Sequence, residues 1–123
     1  MGYKHPMSRF TPAVSVLRVF AWFCVALIAV LSLIPHEMEV RTGLHGLIEH
    51  MIAYAGTAGL FRLAYLSWAG WRIAVVLFMY AGCLEVLQTF VPGRHPGLDG
   101  VLASGAGAVI GAALVGFRMH RSV

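Results

Sequence analysis

Residues 13–34 read AVSVLRVFAWFCVALIAVLSLI, an apolar run interrupted by a single charge, Arg18. About 20 such residues are what an α-helix needs to cross roughly 30 Å of hydrocarbon. Three more segments of similar length follow, at 46–65, 71–91 and 99–117. Hydrocarbon offers no partners to backbone N–H and C=O groups, so segments that span it are helical. The expected fold is all-α: an integral membrane four-helix bundle, one domain over residues 1–123. The composition agrees, being 59% hydrophobic and 11% charged with a mean hydropathy of +0.80. A soluble domain carries about 25% charged residues, and one this apolar would expose a large apolar surface to water.

Pro35 and Pro92 close the first and third segments, as expected of a residue that cannot continue a helix. Lys4 and Arg9 precede the first segment and could make it a signal peptide. The run is long for a signal core and LSLIPHEME lacks a small-x-small cleavage site, so a retained helix is expected.

The net charge of +4 does not point to nucleic acid, because no patch alternates basic and aromatic residues. The basic residues instead flank the apolar runs. With four spans, Lys4, Arg9, Arg18, Arg62, Arg72, Arg118 and Arg121 share one side, against Arg41 and Arg94 on the other. That bias predicts both termini in the cytoplasm. Trp68 and Trp71, in the short inner turn, fit an interfacial belt. Cys24 and Cys83 both lie within apolar runs and read as small buried hydrophobes.

The polar residues collect on the outer side. Glu49 and His50 open the second span, Glu85 and Gln88 lie near the end of the third, Arg94 and His95 occupy the outer turn, and Asp99 opens the fourth. Glu85 and Gln88 are three apart, and His50 and Tyr54 four apart, so each pair shares a helix face. A carboxylate facing lipid is unfavourable by at least ~2.5 kcal/mol at mid-membrane, which predicts inward orientation and a partner. Arg94 and His50 are the candidate partners, and Asp99 sits where it could N-cap the fourth span. His36, Glu37, Glu39 and Arg41 read as a solvated outer loop. No metal-ligand spacing and no cofactor motif is present.

The fourth span carries two ridges of small residues: Gly100, Ser104, Ala108, Ala112 and Gly116, and beside it Ala103, Gly107 and Gly111. Such ridges let helices approach closely in lipid. They suit either another span or a second copy of the chain, which leaves a homo-oligomer through this helix open.

Two blocks, EHMIAYAGTAGL (49–60) and LEVLQTFVPGRHPGLDGVLASGAGAVIG (84–111), resemble the VanZ-like family of small bacterial membrane proteins. The matched positions are His50, Tyr54, Glu85, Gln88, Pro92, Gly93, Arg94 and Asp99, and Ser104 stands where asparagine is common in that family. The resemblance implies a multi-pass protein of the bacterial cytoplasmic membrane and an association with teicoplanin resistance.

Three functions are weighed. The first is an envelope protein that binds a membrane lipid or lipid-linked envelope precursor by its anionic headgroup, with Arg94 on the anion and His50, Tyr54, Glu85, Gln88 and Asp99 shaping the pocket. The second is a membrane hydrolase of a lipid-linked phosphate or ester, with His50 and Glu85 as an acid–base pair and no serine or cysteine placed to help. The third is a small oligomeric transporter subunit.

Overall fold

The structure, a computed structural model, describes residues 12–39 and 42–122. The described residues form four α-helices and one short 3₁₀ turn, with no β-strand. Helix α1 spans Pro12–Leu33, α2 Gly46–Ala64, α3 Gly70–Gln88 and α4 Leu98–Arg121; the 3₁₀ turn covers His36–Met38. Lys4, Arg9 and Arg41, used above for orientation, lie outside the described residues.

Successive helices run antiparallel. Helix α4 packs on α2 and α3, while α1 packs on α2 and α3 and does not touch α4. α1, α3 and α4 are each long and apolar enough to cross a membrane. α2 is long enough but more polar, carrying Glu49, His50, Thr57 and Arg62. The outer faces of α1, α3 and α4 present Phe20, Phe23, Val76, Met79, Leu114 and Phe117. That apolar surface marks a protein that resides in a membrane.

Helix ends depart from the sequence reading by more than one residue in two places. α3 stops at Gln88 rather than 91. Phe90 and Val91 donate to the carbonyls three residues back, and the Thr89 hydroxyl bonds the Val86 carbonyl at 2.7 Å. The chain thus tightens ahead of Pro92, which disfavours helical geometry in Val91. α4 runs on to Arg121, past the end of its apolar run. Nothing in GFRMHR breaks a helix, and Arg118, His120 and Arg121 complement its C-terminal dipole.

Both small ridges of α4 are buried within the chain as far as Ala112, and Gly116 beyond them is half-buried. Ala103, Gly107 and Gly111 are buried, as are Gly100, Ser104, Ala108 and Ala112. A Cβ on Gly107 would lie less than 3.0 Å from the Met51 carbonyl oxygen, and one on Gly111 equally close to that of Ala55. The α2 and α4 backbones therefore touch, and the close partner of the ridge is α2. A second copy would meet α4 on its other face, at the bulky Leu102, Val109 and Leu114.

The reading of both cysteines as buried needs correction. Cys24 is half-buried and Cys83 is exposed, because α3 turns Cys83 outward while Ala81 and Leu84 face the core.

Candidate functional site

Charge is segregated along the bundle. All five acidic residues, Glu37, Glu39, Glu49, Glu85 and Asp99, lie at the end where α1 and α3 finish and α2 and α4 begin. Arg18, Arg62, Arg72, Arg118 and Arg121 lie toward the opposite end. There Arg18 donates to the Ala64 carbonyl at 3.3 Å and covers the Tyr65 ring, which stacks on Trp68.

At the acidic end the turn 91–94 is built by Pro92 and Gly93. Gly93 has φ +75°, and the Arg94 N–H returns to the Val91 carbonyl at 3.3 Å. Proline followed by a left-handed glycine suits a type II turn. A side chain on Gly93 would be strained by that φ and would also press on His36.

The turn aims Arg94 across the end of α1. Its Nε donates to the Ile34 carbonyl at 3.0 Å and Nη2 to the Leu31 carbonyl at 2.7 Å. Nη1 pairs with Glu39 Oε1 at 3.1 Å, and Glu39 Oε2 in turn takes His36 Nδ1 at 2.9 Å. Arg94 therefore satisfies carbonyls that the end of α1 leaves open. His36 and Glu39, read above as a solvated loop, belong to this network. Gln88 is buried and donates to the Ser32 carbonyl at 2.9 Å, a second tie from the α3 end to α1.

Glu85 does not pair with Arg94. Its Oε1 accepts the N–H of Gly97, the residue that caps α4. Asp99, expected as that cap, stands one residue inside the helix, is exposed, and accepts only the Gly100 N–H at 3.0 Å. The helix starts one residue earlier than read because the extended Gly97, not Asp99, makes the entry.

His50 faces α4. Its Nδ1 is 3.5 Å from Ser104 Oγ, which donates to the Gly100 carbonyl at 2.8 Å. Ser104 was read as part of a small ridge and as standing where the VanZ-like family commonly has asparagine, not as a partner of His50; a hydroxyl among glycines and alanines was the available signal. Tyr54, one turn deeper, is buried beside Ser104 and 6.5 Å from the Tyr80 ring. His45, missed in the sequence, caps α2 by accepting the Leu47 N–H at 3.3 Å.

His50 and Glu85 converge without pairing with each other. Yet His50 Nε2 and Glu85 Oε2 each lie 3.7 Å from the point a Gly100 Cβ would occupy. Among the described residues no three His, Cys, Asp or Glu side chains come together to hold a metal ion.

Two clefts open here. An apolar cleft of about 340 Å³ runs between α1 and α2, along Ile28, Leu31, Ile52, Ala53 and Tyr54. A polar cleft of about 320 Å³ is lined by His36, His45, Glu85, His95, Asp99 and Gly100. Glu39, His50, Gln88 and Arg94 line both. The chain matches no protein-family model, no curated protein and no solved structure, and the VanZ-like resemblance rests on the two sequence blocks quoted above.

Proposed function

We propose that the chain is a four-span protein of the bacterial cytoplasmic membrane that holds a membrane lipid or lipid-linked envelope precursor, headgroup in the polar cleft and tail in the apolar one. The observation that carries this reading is the wall shared by the two clefts: Glu39, His50, Gln88 and Arg94 face both. A polar recess beside an apolar furrow, sharing one wall, matches the shape and chemistry of an amphiphile. Recognition falls to His50, Glu85 and Asp99. Arg94, with three donors engaged by Leu31, Ile34 and Glu39, belongs to the framework that holds the cleft open rather than to the ligand.

Intact protein released from membranes in mild detergent is expected to retain a lipid of defined mass by native mass spectrometry. Glu85→Gln and His50→Ala should lose most of that adduct while keeping a folded helical spectrum. Retention unchanged in both variants sinks the reading. In a host lacking the gene, the same variants should fail to restore whatever teicoplanin phenotype the intact gene confers, an expectation supported by the VanZ-like resemblance.

Catalysis at the same place is the second reading, favoured by the convergence of His50 and Glu85 over Gly100. Ser104 is fully buried and bonded within its own helix, so it positions His50 and is not exposed to act as a nucleophile.

For the topology, α2 makes the fourth pass, sheltered between α1 and α4, and the arginine-rich end lies in the cytoplasm. Cys83 and Cys24 replaced, a single cysteine at Ser122 should be unreactive to an impermeant maleimide in intact cells, and one at Thr42 reactive. The opposite pattern inverts the orientation.

A further inference from the structure

The Ser104 hydroxyl has one proton, and it is donated to the Gly100 carbonyl at 2.8 Å. Toward His50 Nδ1, 3.5 Å away, Ser104 Oγ can then only accept. In the tautomer that donates from Nδ1 to Ser104 Oγ, the opposite nitrogen, Nε2, is an acceptor. Nε2 and Glu85 Oε2 each lie 3.7 Å from the position of a Gly100 Cβ, and His50, Glu85 and Gly100 all line the polar cleft. Glu85 already takes the Gly97 N–H on Oε1. Two acceptors from two helices thus face one small seat that glycine leaves open.

A single hydroxyl could satisfy one of them and would leave the other bare. A primary ammonium satisfies both with two of its three N–H groups. The charge of the cleft selects the same group. Its lining holds one arginine, Arg94, against three carboxylates, Glu39, Glu85 and Asp99, a formal −2 with the histidines neutral. A phosphate placed against Glu85 would meet like charge. A trimethylammonium carries the right charge but has no N–H to give.

We propose that the seat over Gly100 binds a primary ammonium group carried on a lipid headgroup, between His50 Nε2 and Glu85 Oε2. The proposal rests on the lipid-binding reading above and names the chemical class that the site selects. Gly100→Ala offers a clean probe. Its Cβ would stand at ordinary contact distance from both groups and clash with neither, so the bundle keeps its packing while the seat is filled.

The full-length protein, delipidated in mild detergent, is offered equal amounts of phosphatidylethanolamine, phosphatidylcholine and phosphatidylglycerol and read by native mass spectrometry. The expected result is a preference for phosphatidylethanolamine of about tenfold over each of the others, the ratio one strong charge-assisted contact confers. Glu85→Gln and Gly100→Ala should bring the three lipids to parity. Free ethanolamine in excess tells the source: displacement of the bound lipid shows that the ammonium alone is recognised, and persistence shows that the tail contributes to holding it. Bound lipid with no preference, or a preference for phosphatidylglycerol, overturns the ammonium assignment and leaves lipid binding standing. No adduct from any of the three overturns both.

Discussion

Gly111→Val is expected to destabilise the bundle by about 3 kcal/mol, the upper part of the range for overpacked cores. A Cβ at Gly111 would stand less than 3.0 Å from the carbonyl oxygen of Ala55. That neighbour is backbone within α2, so no side-chain rotation relieves the contact and the two helices must separate. Separation would also loosen Ala108 and Ala112, which are buried on the same surface. Gly107→Val should behave alike, because the Met51 carbonyl is equally close. The control is Gly82→Ala, where nothing lies within 4 Å; there the greater helix propensity of alanine should give no loss, or a gain of up to about 1 kcal/mol. The measurement is the midpoint of thermal unfolding in mild detergent. Equal midpoints for Gly111→Val and Gly82→Ala would show that α2 and α4 do not pack through this ridge.

Arg94→Ala should lower stability by about 2–4 kcal/mol, since it strands two carbonyl oxygens and a carboxylate that share one guanidinium. The Arg94 side chain is only 12% exposed, so water reaches these groups poorly. Arg94→Lys should recover little of the loss, because one ammonium cannot reproduce the fork that reaches Leu31, Ile34 and Glu39 together. Glu39→Gln should cost well under half as much. Its amide oxygen still accepts from Nη1, and the carboxylate it replaces is 28% exposed and screened by solvent. The same unfolding midpoints decide the order. Arg94→Ala as stable as the parent, with its lipid adduct abolished, would return Arg94 to the ligand and remove it from the framework.

Much of the architecture was readable from local chemistry. Runs of apolar residues fix helices in hydrocarbon because no other backbone arrangement satisfies its own hydrogen bonds there, and the four helices stand close to the expected positions. The grouping of His50, Glu85, Gln88, Arg94 and Asp99 at one end followed from helix length and direction alone. The length of α3 was misjudged because the turn before Pro92 is set by hydrogen bonds of Thr89, Phe90 and Val91, which an apolar sequence does not display.

Side-chain partnerships were not readable in the same way. From spacing, Arg94 and His50 looked equally able to pair with Glu85. In the bundle Arg94 reaches the end of α1 and Glu39, while Glu85 takes the entry of α4. A flexible charged side chain reaches several groups within a few ångströms, and the choice depends on how α1 ends and where the turn 91–94 points. The ridge on α4 was legible as a surface for close approach, but small residues carry no label for their partner. That α2 fills the ridge follows from the crossing of the two backbones at Gly107 and Gly111.

The order of residues settled that this chain is helical, suited to a membrane and polar at one end, because hydropathy and charge act residue by residue. The pairings at that end, and the open seat above Gly100 between His50 and Glu85, came from the assembled bundle. They depend on distances between different helices and turns, and those distances exist only once the helices have packed.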